Sequence, residues 1–154
     1  MAAEYKKEVP SGARADDVNV CDVSEDAKKQ IKAFKRRQTT TNCALLLKID
    51  KANLTIVVDE MYEDLSLEEL QEEIPAHEPR YALYIYKNTH GDGRISYPLC
   101  FIYVTPPGLK PELNMMYAGS KTSLINETKM TKIFECRDVE ELTEEWLRSQ
   151  LGIR

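Results

Sequence analysis

The sequence predicts an α/β fold: a central mixed β-sheet sandwiched between helices on both faces. Two runs are apolar on both sides, since Tyr81, Leu83 and Ile85 alternate with Ala82, Tyr84 and Tyr86, and Leu45, Leu47 and Ile49 alternate with Ala44 and Leu46. Strands of that kind need cover on each face. Four further segments carry helical signals, which is enough to supply two covering layers. The 154 residues are long enough to bury one sizeable core in one domain.

Residues 1–17 mix charges of both signs with Pro10, Ser11 and Gly12 and show no apolar period, so a flexible tail is expected there and a single domain over 18–154. Ser24 can cap a helix running to about Arg37, in which Ala27, Ile31 and Phe34 form one stripe. Its acidic start, Glu25 and Asp26, and its basic end, Lys35, Arg36 and Arg37, follow the order that the helix dipole favours. Residues 42–49 and 54–62 are β-rich around a Lys51-Ala52-Asn53 turn and read as a hairpin. Ser66 and Glu69 form a capping box for a short acidic helix that Pro75 stops. A second hairpin is expected from 81–87 and 94–105 through the turn 88–93. A long helix opens near Pro111, a strand lies near 132–136, and a last helix is capped by Asp138 with Glu141 three residues on.

The long helix holds the most telling pattern. Successive side chains rotate by roughly 100°, which puts Leu113, Met116, Tyr117, Ser120 and Leu124 on one core face. Opposite lie Glu112, Met115, Gly119 and Thr122, a low strip with one long thioether, a residue type over-used at binding surfaces. Glycine there weakens the helix by about 1 kcal/mol, which is understandable if a partner's backbone approaches closely. A packing notch is the other reading.

Several functions are argued against. A net charge of −5 gives no general affinity for nucleic acid, and no run approaches the roughly 20 apolar residues of a membrane span. The first ten residues lack the apolar run of a secretory signal, so an intracellular protein is expected. Cys21, Cys43, Cys100 and Cys136 are far apart and read as buried free thiols. His77 and His90 fall in loops without a second histidine at helical spacing, and His90-Gly91-Asp92-Gly93 reads as a turn. Glu68-Glu69 and Glu144-Glu145 read as solvated charge. No metal, cofactor or catalysis is expected. Charge is segregated, however: 24–37 holds six basic and two acidic residues, and 59–73 holds eight acidic and no basic ones. Such a dipolar surface can orient docking on a charged partner.

The run Met115-Met116-Tyr117-Ala118-Gly119-Ser120-Lys121 resembles the long actin-contacting helix of the actin-depolymerising factor homology (ADF-H) family, and specifically its glia maturation factor branch. Asp92-Gly93-Arg94-Ile95-Ser96-Tyr97-Pro98-Leu99-Cys100-Phe101-Ile102 and Leu142-Thr143-Glu144-Glu145-Trp146-Leu147 extend the similarity, which runs from about Val18 to the C-terminus. The resemblance implies the ADF-H fold and partner contact through the segment from Val18 to Cys21, including Val20, and through Met115, Gly119, Ser120 and Lys121. Actin severers of the family carry lysines one and three residues before the methionine, where Asn114 and Glu112 stand here. That departure matches the glia maturation factors, which act on the actin-related protein 2/3 complex, inhibit branch nucleation and detach branches from actin filaments. A second surface, Lys87, His90 and Arg94, would engage a neighbouring subunit or the daughter filament at the branch junction. The resemblance further implies a monomer in the cytoplasm, at the actin cytoskeleton of the cell cortex and lamellipodia, with the nucleus left open. Cofilin-like binding and severing of actin is the alternative.

Overall fold

The protein is described by a computed structural model over residues 20–153. The tail expected at 1–17, and Val18 at the start of the expected contact segment, lie outside the described residues. In chain order the elements are β1 (Asp22–Val23), α1 (Glu25–Lys35), β2 (Cys43–Asp50), β3 (Thr55–Glu63), α2 (Leu67–Leu70), β4 (Arg80–Ile85), β5 (Asn88–Thr89), β6 (Ile95–Ser96), β7 (Leu99–Val104), α3 (Pro111–Thr128), β8 (Ile133–Cys136) and α4 (Glu144–Leu151). Six strands form one sheet in the order β1-β3-β2-β4-β7-β8, and β5 and β6 make a separate ribbon. The sheet is mixed: β1 runs parallel to β3 and β8 parallel to β7, while the inner pairs are antiparallel.

The period-two alternation of the central strands builds a core on each face. Leu45, Leu47, Tyr81, Leu83, Phe101 and Tyr103 pack with Ala27, Ile31 and Phe34 of α1 and Tyr117 and Leu124 of α3. Their neighbours Leu46, Ala82, Tyr84, Cys100 and Ile102 pack on the other side with Leu67 and Leu70 of α2 and Leu147 of α4. Helices therefore cover both faces, as the doubly apolar strands require. Where β2 meets β3 the register shifts between Leu46 and Leu47, which face Glu60 and Val58 and leave Asp59 as the extra residue. A bulge of this kind re-aims a side chain, and the Asp59 carboxylate accepts from Nε of the buried Arg80 at 3.0 Å.

Local signals explain the element ends. The Ser24 hydroxyl accepts from the Ala27 N–H at 3.1 Å, and the Ser66/Glu69 capping box closes in both directions. Two expectations need correction. The final helix starts at Glu144 and is capped by Thr143, whose hydroxyl accepts from the Trp146 N–H at 3.1 Å. Asp138 instead caps a short 3-10 turn, Val139–Glu141, because Leu142 turns inward to full burial and interrupts the helix there. The expected strand 94–105 is also split. Pro98 lacks an N–H and cannot continue a ladder, so 95–96 pairs only with 88–89 and β7 begins afresh at Leu99 beside β4.

Candidate partner-binding site

Helix α3 is pinned by its buried face. The Tyr117 hydroxyl accepts the Ile49 N–H at 3.0 Å, and the Tyr117 carbonyl accepts the Tyr81 hydroxyl. The Tyr81 ring lies 5.4 Å from the rings of both Tyr117 and Tyr103, an aromatic cluster whose burial raises the Tyr81 phenol above its ordinary range. At the far end, Lys129 takes a left-handed conformation and the Lys35 ammonium donates to the Thr128 carbonyl, which closes the helix C-terminus. Tyr117, Ser120, Leu124 and Thr128 are fully buried, whereas Leu113 and Met116 are half-buried. The phase read from the sequence thus holds, with its deep part starting at Tyr117.

That phase turns Glu112, Met115 and Gly119 outward. Met115 is 51% exposed, a large fraction for a thioether with core positions available one residue on. A Cβ added at Gly119 would meet only the Val20 Cγ2, at 3.8 Å, an ordinary contact. The glycine is therefore not required by packing within the described residues, and the packing-notch reading loses its support. The N-terminal segment lies alongside. Val20 is 44% exposed, while Cys21 is buried and its N–H donates to the Ser120 hydroxyl at 2.9 Å.

Of the six expected contact residues, the structure brings Val20, Met115, Gly119 and Lys121 to or near the surface together. The other two are corrected: the side chains of Cys21 and Ser120 are fully buried and bind the segment to the helix instead of facing a partner. The Lys121 ammonium lies 5.4 Å from the centre of the Tyr103 ring, a cation–π arrangement that orients it. Burial pushes the Tyr103 phenol up to about 12, with Glu135 adding to the rise, so the ring stays neutral below that cation.

Sequence reasoning missed the groove on the flank of this strip. It holds about 450 Å³ between the loop 105–109, Asn114, Met115 and Ala118 of α3, and Glu135 and Arg137 at the end of β8. Tyr103 also lines it. The available signal was Pro106-Pro107-Gly108, a rigid run ending in a residue with φ of +79° that lays an apolar wall before the helix.

The second expected surface is built differently. Lys87, His90 and Arg94 belong to the β5–β6 ribbon, which leaves the Ile85–Leu99 end of β4 and β7, opposite the end that carries Met115. Its polar groups are engaged locally: the His90 ring sits 2.9 Å from the Ser96 hydroxyl, and Arg94 Nε donates to Asp92 at 2.7 Å. From α4, Arg148 donates to Asn88 and to the Tyr86 hydroxyl, each at 3.0 Å, and fixes the base of the ribbon. The expected basic face of α1 is likewise reduced, because Lys28 pairs with Glu25 and Glu127 and Arg37 pairs with Glu63.

All four cysteines are buried. Burial raises Cys100 to about 12 and Cys136 to about 11, which keeps both protonated and unreactive. Among the described residues no group of three or more His, Cys, Asp or Glu is placed to hold a metal ion, and no helix is long and apolar enough to cross a membrane.

Comparison with known proteins extends these observations. The family model for cofilin/tropomyosin-type actin-binding proteins matches residues 20–152. Human glia maturation factor beta is 51% identical over 133 residues, which cover 86% of this chain and 94% of that protein. Glia maturation factor of Drosophila melanogaster is 45% identical over 135 residues, 88% of this chain and 98% of its own length. The solution structure of glia maturation factor from Caenorhabditis elegans aligns with a TM-score of 0.73 at 39% identity, over 84% of this chain and 94% of that one.

Proposed function

Because the chain belongs to the cofilin/tropomyosin-type actin-binding family, with the ADF-H fold and close similarity to glia maturation factors, we propose that it binds the actin-related protein 2/3 complex, inhibits branch nucleation and promotes debranching of actin filaments. Its role lies in actin regulation, and its family is one of binding proteins and not of enzymes. Residues 18–154 act as one domain in this reading, in the cytoplasm at the actin cytoskeleton.

The observation that carries the proposal is the exposed strip of α3. Met115 stands out half-exposed beside a glycine that packing among the described residues does not require, with Val20 on one flank and the groove on the other. An actin-related subunit can seat its backbone against Gly119 while Met115 adapts to its surface. Glu112 and Asn114 are exposed on the same turn, so the positions where the severers carry cations offer a carboxylate and an amide here. Acidic actin is disfavoured by that exchange. Debranching then needs no covalent chemistry: a protein that binds the detached state more tightly shifts the equilibrium by its difference in affinity. Lys87, His90 and Arg94 serve as a second contact at the junction.

The test uses purified protein on branched networks and on bare filaments. Dismantling of branches, with weak co-sedimentation on filaments free of the complex, is the expected result. Strong co-sedimentation and severing of bare filaments would return the cofilin-like alternative.

A further inference from the structure

The buried Ser120 hydroxyl invites a role different from partner contact. β1 is held to the sheet by pairing of Asp22 with Thr55 and Val23 with Ile56, and the Ser24 N–H donates to the Ile56 carbonyl at 2.9 Å. Upstream of that pairing the chain crosses from the sheet to α3, where the Cys21 N–H meets the Ser120 hydroxyl at 2.9 Å in the interior. The next residue out, Val20, is exposed and has its Cγ2 at van der Waals distance from where a Gly119 side chain would begin.

We propose that Ser120 is a positioning residue: through the Cys21 N–H it holds Val20 against Gly119, so that Val20 and Met115 present one continuous apolar surface. The inference rests on the reading that the α3 strip meets an actin-related partner, and it adds how half of that surface is kept in place. The physical argument is the asymmetry of buried hydrogen bonds. Removing the acceptor leaves a buried N–H with poorer satisfaction, and a terminal segment answers by opening locally instead of unfolding the domain. A partner must then order Val20 on binding, which lowers affinity without removing any contact from the surface itself.

Two measurements on the full chain test this. Amide exchange of Cys21 should be slow in the parent and at least about tenfold faster in Ser120→Ala, while β4 amides keep their protection. Affinity for the purified actin-related protein 2/3 complex should fall about fivefold in Ser120→Ala and in Val20→Ala, and the double variant should be no weaker than the worse single one within about twofold. Ser120→Thr, which keeps the hydroxyl acceptor, should restore slow Cys21 exchange and affinity together, an unchanged melting temperature showing that the added methyl is accommodated. Where it is not, Ser120→Cys, whose sulfur is a weak acceptor, should give Cys21 exchange between that of the parent and that of Ser120→Ala. Fast Cys21 exchange in the parent overturns the proposal without any variant, and so does a double variant whose losses multiply. If the parent fails to bind the complex at all, the functional reading falls, whereas the exchange arm still decides whether Ser120 fixes the segment.

Discussion

The exposed strip of α3 and the β5–β6 ribbon stand at opposite ends of the same sheet, and their side chains are in opposite conditions. On α3 the anchoring is done from behind, by Tyr117, Ser120 and Leu124 in the core, and the outward residues Met115 and Gly119 take no part in holding the helix. On the ribbon the outward residues are engaged with one another: His90 leans on Ser96, and Arg94 closes on Asp92 across the turn. A surface whose internal work is done elsewhere can be reshaped for a partner without altering the fold. One whose charges already have internal partners must break those contacts before making new ones.

The sharpest way to break this comparison is Gly119→Arg. Gly119 has ordinary helical geometry, and its missing Cβ would meet only the Val20 Cγ2, at an ordinary 3.8 Å, so arginine should be accommodated by the helix and even raise its propensity by up to about 1 kcal/mol. Binding of the actin-related protein 2/3 complex should nonetheless fall by about 100-fold or more, the size expected when a central contact is sterically blocked. Calorimetry of the complex beside a thermal melt separates the two. Equal binding by the variant and the parent would refute close approach at this strip.

Met115→Ala comes next. The side chain is 51% exposed, so truncation should change stability by under about 0.5 kcal/mol. Affinity should drop about tenfold, a typical loss for one interface anchor. A large fall in melting temperature with unchanged affinity would mean that the thioether serves the core, contrary to its place on the helix.

How much of this contrast was legible beforehand depends on the kind of signal. The helix phase was readable because the rotation between residues is fixed by backbone geometry, and the same holds for the alternation in β2 and β4 that sorts side chains between two cores. The charge balance along 24–37 was readable as composition, but its availability was not, since Glu63 and Glu127 are brought to Arg37 and Lys28 only by the fold. Ser120 was assigned to the contact surface by resemblance even though its own helical phase put it in the core, and the phase proved the better guide. The groove depends on the end of β8 arriving beside the loop 105–109, a meeting of residues some 30 positions apart that no local pattern encodes. Pro98 was in plain view as a strand breaker and should have split the second hairpin.

A smaller effect is expected from the charge pair at the start of α3. Glu112→Lys with Asn114→Lys should raise affinity for bare actin filaments by about 1 kcal/mol, because Glu112 and Asn114 are exposed and new cations there remain largely solvated. Asn114 lines the groove with Glu135, so its lysine meets a carboxylate at home that trims the gain. The gain should shrink as salt rises, since charges at a rim are screened over about 8 Å at physiological ionic strength. Co-sedimentation at two salt concentrations reads it, and a salt-independent gain would point to a packing effect instead of charge.

The smallest effect tests the ribbon. Arg94 and Asp92 are both well exposed, and an ion pair of that kind adds little to stability. Arg94→Ala should therefore move the melting temperature by no more than about two degrees. Affinity for the complex in the absence of filaments should stay within about twofold, since the α3 strip at the other end of the sheet is untouched. If the ribbon meets the daughter filament, branch removal followed by microscopy should slow while that affinity holds, a split between binding and outcome that the α3 variants do not produce. Were Arg94→Ala instead to weaken capture of the isolated complex as Met115→Ala does, the two ends of the sheet would form a single site for one partner, and the division of labour argued from their different anchoring would be wrong.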